Sequence, residues 1–156
     1  MKTKTRKEVF ETNSSSVHSI VVKYNGEYDI RLERDQQNRF AVVAHCRDYS
    51  DVGRDEPYVI STQQEKFNYL MTWIVCKCEY SYERPCEYWL YNDILNVLKK
   101  VDPGIDSIII LDEDKAAFDH QTAPYDYSDC VVNIYKETDI MNFIFNDNIT
   151  LECYFD

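Results

Sequence analysis

The hydrophobic pattern of this chain changes near residue 62 from short β-type runs to helical spacing. Before that point, β-branched and alternating stretches predict strands at residues 17–23, 28–33 and 40–44. Asn25-Gly26 between the first two stretches is a turn signal, so we expect them to form a hairpin. The polar, turn-rich segment 48–57 is typical of a loop.

Two stretches after residue 62 place apolar residues on one helical face. Thr62 and Glu65 have the spacing of a capping box at the start of the first stretch. The first stripe comprises Phe67, Leu70, Met71, Ile74, Val75 and Cys78. The second stripe comprises Leu90, Ile94, Val97, Leu98 and Val101, and it stops at Asp102-Pro103-Gly104. The short connection predicts a two-helix hairpin.

The remaining elements complete an α+β pattern. Residues 108–111 are all aliphatic and predict a buried central strand, while 130–135 and 148–155 predict two further strands. Thr138 is expected to cap a short helix that ends at Phe145. No repeat or Pro/Gly-rich linker divides the chain. We therefore expect one α+β domain over residues 1–156, with a single, mainly antiparallel sheet of five or six strands and the two-helix hairpin on one face.

Glycine content and charge exclude several classes of function. The three glycines, Gly26, Gly53 and Gly104, cannot form a dinucleotide-binding fingerprint, a Walker-type phosphate loop or a G-x-S-x-G elbow. Residues 61–156 hold seven Lys/Arg and eighteen Asp/Glu, and so carry the whole net charge of −11. Such a surface repels nucleic-acid backbones and acidic membranes, so we expect neither as a direct partner. It suits a basic partner protein, or serves solubility alone.

The chain has no signal-peptide pattern and no apolar run of membrane-spanning length, so we expect a cytoplasmic protein. Its six cysteines are then expected to be reduced thiols. Cys76, Cys78 and Cys86 lack the paired C-x₂-C spacing of a zinc ribbon, and we assign no metal ligands. The acidic triplet 112–114 could hold a divalent cation, although such triplets are more often solvated strand ends.

Two polar clusters contain candidate catalytic and ligand-binding residues. The first cluster comprises Asn13, Ser14, Ser16, His18 and Ser19. Its hydroxyl and amide groups suit phosphate oxygens, but on composition alone such a cluster is more often a serine-rich turn that leads into a strand. The second cluster comprises Asp119, His120, Gln121 and Thr122, shortly after the buried strand. A histidine side chain ordinarily titrates near neutral pH, which suits His120 to catalysis. The alternative is a histidine in a loop that only forms a hydrogen bond with a backbone carbonyl.

Two further groups of residues are candidates for function: the neighbours His45 and Cys46, and the link between the two predicted helices. His45 and Cys46 are interpreted as structural, because neighbours on a strand point to opposite faces and seldom form a nucleophile pair. The link between the predicted helices is rich in aromatic and acidic residues. Its candidate partner-binding residues are Glu79, Tyr80, Tyr82, Glu83, Glu87 and Tyr88. They suit docking onto a basic groove, or packing against the edge of the sheet.

The segment 6–19 reads R-K-E-V-F-E-T-N-S-S-S-V-H-S. It resembles the start of a group of uncharacterised proteins from phages and prophages of Gram-positive bacteria, which begin with a basic segment followed by F-E-T-N-S-S-S-x-H-S. Members often carry a later D-H-Q-S-like segment, which residues 119–122 match with Thr122 in the last place. The resemblance implies a phage origin and supplies no activity.

The sequence leads to two functional hypotheses, the first from the two polar clusters and the second from the acidic charge and the tyrosine-rich link between the helices. In the first, His18 and His120 face one polar pocket that binds or hydrolyses a nucleotide or another phosphate ligand, as in a phosphodiesterase. His120-Gln121-Thr122 fits the H-x-T pattern of the two-histidine phosphodiesterases, whereas His18-Ser19-Ile20 does not. In the second, the protein is a non-enzymatic acidic inhibitor that binds the nucleic-acid site of a host defence protein.

Overall fold

The structure is a computed structural model that describes residues 10–11, 16–21, 30–35, 37–50, 58–81, 84–118 and 136–155. Within these residues the strands are β1 (Phe10–Glu11), β2 (Ser16–Val21), β3 (Leu32–Arg34), β4 (Phe40–His45), β5 (Tyr58–Ile60), β6 (Ile105–Leu111) and β7 (Thr150–Phe155). The helices are α1 (Gln63–Ser81), α2 (Trp89–Val101) and α3 (Glu137–Phe145). The α+β class is confirmed.

The strands of the described residues form two sheets, so the expectation of a single sheet of five or six strands is wrong. One sheet has the order β1-β2-β7-β5 and antiparallel pairing throughout. The other has the order β3-β4-β6, in which β3 and β4 are antiparallel but β4 and β6 are parallel. The strands separate because β2 pairs with β7 from the far end of the chain, while β4 pairs with β6 across α1 and α2.

The predicted hairpin between residues 17–23 and 28–33 is also wrong. The end of the second stretch lies in β3, which pairs with β4 through Leu32↔Val42 and not with β2. The strand predicted at 130–135 lies outside the described residues.

The two predicted helices are confirmed, and local capping fixes their ends. Thr62 Oγ1 accepts the N–H of Glu65 at 3.2 Å, and the Glu65 carboxylate accepts the N–H of Thr62 at 3.2 Å, which completes the capping box. At the other end of the pair, α2 stops where Asp102 Oδ1 accepts the N–H of Gly104 at 2.8 Å. The third helix begins after Lys136, and not with Thr138 as its cap.

One core joins both sheets to all three helices of the described chain. Val42 and Ile105 represent the three-stranded sheet in this core, and Ile60 and Leu151 represent the four-stranded sheet. The helix α1 is buried on nearly every side, including the polar residues Gln63, Lys66, Asn68 and Thr72. Buried polar side chains need hydrogen-bond partners, so these residues of α1 must serve neighbouring elements.

Within the described residues, no helix combines the length and the apolar character needed to cross a membrane.

Candidate functional site

A cleft opens where the parallel strands β4 and β6 end side by side. Parallel strands present their carboxyl ends at the same edge of a sheet, which is where α/β proteins commonly bind ligands. The cleft has a volume of about 500 Å³. It is lined by His45, Cys46, Arg47, Asp48, Asp112, Asp114, Lys115, Ala116 and Ala117.

His45 and Asp112 form a hydrogen-bonded pair at this edge. His45 is the last residue of β4, Asp112 directly follows β6, and the distance from His45 Nδ1 to Asp112 Oδ2 is 3.0 Å. Asp112 has a left-handed backbone conformation, with φ 58° and ψ 34°. For a residue other than glycine this conformation is uncommon, and here it starts the turn that bends the chain away from the sheet.

Lys115 completes the environment of the Asp112 carboxylate. Its Nζ donates to Asp112 Oδ1 at 2.6 Å. The hydrogen bonds from Lys115 and then His45 hold the pKa of Asp112 below its usual value, so the carboxyl group is ionised near neutral pH. An ionised carboxylate only accepts, so it selects the neutral tautomer of His45 that carries the proton on Nδ1. The Nε2 lone pair is then free to accept a proton.

Cys46 follows His45 but belongs to the interior. Its side chain is buried, and burial raises the pKa of the thiol to about 12. The thiol therefore stays protonated and is a poor nucleophile near neutral pH. The structural interpretation fits Cys46, but sequence reasoning missed His45.

Arg47 provides a positive charge on the same wall of the cleft. Its Nη1 donates to the hydroxyl oxygen of Tyr58 at 2.8 Å, and its guanidinium carbon lies 5.8 and 5.7 Å from the ring centres of Tyr49 and Tyr58. Within the described part of the chain, no carboxylate forms an ion pair with Arg47. A guanidinium held by aromatic rings in this way keeps most of its donors for an anion.

Carboxylates give the cleft a mixed electrostatic character. Asp48 accepts the backbone N–H of Ser50 at 2.8 Å and also its hydroxyl, and these bonds lower the pKa of Asp48. Asp114 lies in the turn after Asp112. Among the described residues, no group of three or more His, Cys, Asp or Glu side chains is arranged to hold a metal ion.

Most of the sequence-predicted ligand-binding set falls where the structure gives no description. The backbones of Ser16, His18 and Ser19 lie in β2, opposite Phe155, Cys153 and Glu152 of β7. Asn13, Ser14 and the segment 119–122 lie outside the described residues. A shared pocket for His18 and His120 thus stays a prediction.

The predicted partner-binding residues are partly engaged within the chain. The Tyr88 ring packs edge-on against Trp73, with 6.0 Å between ring centres, and Glu87 forms an ion pair with Arg84. Glu79 is exposed near the end of α1. Tyr80 also lies in α1, while Tyr82 and Glu83 lie outside the described residues.

Comparison of the chain with protein-family models, with curated proteins and with solved structures finds no match. The chemistry of the cleft therefore carries the functional conclusion.

Proposed function

We propose that the protein binds a nucleotide or a related phosphate-bearing small molecule in the cleft between the ends of β4 and β6, with His45 as a general base. The observation that carries this proposal is the 3.0 Å contact between His45 Nδ1 and the Asp112 carboxylate. A carboxylate on Nδ1 orients the imidazole and stabilises the positive charge that forms when Nε2 takes a proton.

The charges of the cleft suit a ligand that carries a phosphate group at one end and hydrogen-bond donors at the other. Arg47 and Lys115 are positive, while Asp48, Asp112 and Asp114 are negative. The net charge of these five side chains is negative and does not attract a simple anion. The guanidinium of Arg47, however, favours a phosphate group close to it. Asp48 and Asp114 can accept hydrogen bonds from hydroxyl or amino groups, which a nucleotide carries on its ribose and its base.

Phosphate-ester hydrolysis is the reaction that suits these groups. A water molecule loses a proton to Nε2 of His45 as its oxygen attacks phosphorus, and the bond from phosphorus to the leaving oxygen breaks. A second group must protonate that leaving oxygen. Lys115 suits this step poorly, because its hydrogen bond to Asp112 raises the lysine pKa. His18 and His120 remain the proposed candidates, with their neighbouring hydroxyl and amide groups as phosphate ligands.

The biological setting is that of a phage- or prophage-type accessory protein that acts in the host cytoplasm against a defence system. The N-terminal F-E-T-N-S-S-S-V-H-S segment supports this setting, since it resembles the start of such proteins. A nucleotide ligand agrees with it, because a defence signal made of nucleotides can be removed by binding or hydrolysis.

Calorimetric titration with nucleoside monophosphates, cyclic dinucleotides, adenosine and inorganic phosphate tests the proposal. Arg47→Gln should weaken nucleotide binding about ten- to a hundredfold, the usual loss for a hydrogen bond to a charged group. Arg84→Gln is the matched control, because Arg84 is an exposed arginine paired with Glu87 in the link between α1 and α2. His45→Gln should keep binding and lose any turnover.

The opposite results are equally clear. Equal affinity in Arg47→Gln and the parent protein would place the ligand elsewhere, and His18→Ala and His120→Ala would then test the sequence-predicted pocket. If none of these ligands binds, the nucleotide proposal is wrong and the acidic-inhibitor hypothesis takes its place.

A further inference from the structure

The strand β4 extends past the end of β3, and side chains of α1 form hydrogen bonds with the backbone groups of β4 that β3 does not reach. One further backbone bond runs from the N–H of Val43 to the carbonyl oxygen of Arg31, the residue before β3, at 3.1 Å. In an antiparallel pair a second bond would run from the N–H of Arg31 to the carbonyl oxygen of Val43, but here the Gln64 side-chain amide lies between these two groups. Gln64 Oε1 accepts the N–H of Arg31 at 2.8 Å, and Gln64 Nε2 donates to the carbonyl of Val43 at 2.9 Å.

The next two bonds reach the residues of the cleft. Asn68 Oδ1 accepts the backbone N–H of His45 at 3.0 Å, and Thr72 Oγ1 accepts the backbone N–H of Arg47 at 3.2 Å. Asn68 Oδ1 also accepts from Gln64 Nε2 at 2.8 Å, which ties the row together. One side chain of α1 therefore forms a hydrogen bond with the backbone of each of Val43, His45 and Arg47.

The dimensions of a helix and a strand explain why this row fits. Gln64, Asn68 and Thr72 are four residues apart, which is about 6.0 Å along a helix axis. The strand residues that they contact are two apart, which is about 6.6 Å along a strand. The two spacings agree closely enough for three successive contacts, so the α1 row supplies hydrogen-bond partners of the kind that a neighbouring strand would supply.

We propose that Asn68 is a positioning residue for His45, and that the Gln64–Asn68–Thr72 row directs His45 and Arg47 into the cleft. The catalytic part of this inference rests on the proposed function. Asn68 is 8% exposed and Thr72 is 0% exposed, so both occupy core positions where an apolar side chain would otherwise be expected. An apolar residue at position 68 or 72 would leave the backbone N–H of His45 or of Arg47, respectively, without its acceptor.

The expected consequence of losing Asn68 is specific to the His45 ring. Displacement of the His45 backbone by a few tenths of an ångström stretches the bond from Nδ1 to Asp112, because hydrogen bonds weaken outside a narrow range of lengths. Asp112 then no longer selects the Nδ1–H tautomer, and the Nε2 lone pair is lost as the proton acceptor.

Nitrogen-15 spectra of the imidazole in the ligand-free protein test this, recorded at pH 9, where a histidine ring is ordinarily neutral. The parent protein should show mainly the Nδ1–H tautomer, and Asn68→Leu should shift most of the population to Nε2–H. Asn68→Asp keeps an oxygen at the acceptor position and should restore the parent spectrum. Gln63→Leu is the control for general destabilisation, because Gln63 is a buried amide of α1 that bonds Asp147 instead.

A parent-like tautomer in folded Asn68→Leu would overturn the proposal. If that variant does not fold, the parent protein provides the test. A scalar coupling between the His45 amide nitrogen and Asn68 Cγ should be measurable through their hydrogen bond, and its absence would overturn the proposal as well. These spectra need no ligand. Failure of nucleotide binding with an intact tautomer response would remove the proposed function alone, and the reverse pattern would remove the positioning role alone.

Discussion

Replacement of Lys66 by methionine should make the stability difference between the two proteins depend strongly on pH. Lys66 is 0% exposed, and its Nζ donates to the carbonyl oxygens of Asn146 at 3.0 Å and Ile149 at 3.1 Å. Burial lowers the pKa of this lysine to about 8, and attraction from Asp147 opposes that shift. The ammonium group thus ties the loop before β7 to α1 while it bears a desolvation penalty.

The size and sign of the effect follow from proton linkage. The unfolded chain keeps the proton on Lys66 up to about the model value of 10.5, whereas the folded chain releases it near 8. Between these values the unfolded state binds more protons, so the Lys66 contribution to folding becomes more favourable as pH rises. Since one pKa unit equals about 1.36 kcal/mol, parent stability relative to Lys66→Met should rise by about 2.5 kcal/mol between pH 7 and pH 10.

Urea unfolding of both proteins at several pH values measures this difference. Other groups with raised pKa values, such as the Cys46 and Cys76 thiols, are present in both proteins and cancel. Lys99→Met provides the control, because it makes the same replacement at an exposed position of α2 and disturbs no buried group. A difference for Lys66→Met that stays within about 0.5 kcal/mol from pH 7 to pH 10 would refute the linkage argument.

Three further perturbations probe the cap, the thiols and the core. Thr62→Ala should destabilise the protein by about 1 kcal/mol in urea unfolding because it removes the cap of α1, whereas Thr138→Ala, which caps no helix here, should change stability by less than about 0.5 kcal/mol. Iodoacetamide at pH 8, followed by mass spectrometry, should label the exposed Cys86 and leave Cys46 unmodified in the folded protein; equal labelling would contradict the burial of Cys46. Ile94→Ala should destabilise the protein by about 2–5 kcal/mol in thermal or urea unfolding, since Ile94 is fully buried in the shared core, and a loss below about 1 kcal/mol would contradict that packing.

The sequence predicts the helices better than the sheets because the two depend on contacts of different range. The Thr62/Glu65 capping box and the helical spacing of apolar residues are local patterns, and the structure contains the cap and both helices. The helix α1 is buried on nearly every side, however, and not along one face alone. Strand pairing is not local. Nothing in the alternation of residues 17–23 indicates that they pair with β7 at the opposite end of the chain, so the hairpin and the single sheet were wrong.

The cleft was missed for the same reason. The acidic triplet after β6 was recognised as a strand end, but its histidine partner lies in β4, and only the parallel pairing of the two strands brings His45 to Asp112. The Cys46 side chain is buried, whereas the side chain of its neighbour His45 is partly exposed in the cleft. A histidine that ends one aliphatic strand and an aspartate that follows another are the signal available in the sequence.

The parallel pairing of β4 and β6 also determines when the cleft can exist during folding. His45 and Asp112 are 67 positions apart, and both α1 and α2 lie in the chain between them. Bringing together residues of such separation costs loop-closure entropy, and the packing of the intervening chain must offset that cost. A nascent chain that has emerged only as far as α2 has its histidine but not the carboxylate that orients it. A ligand held between the two strands therefore stabilises only the state in which both helices have already packed, and its binding reports on complete folding of this unit rather than on a local loop.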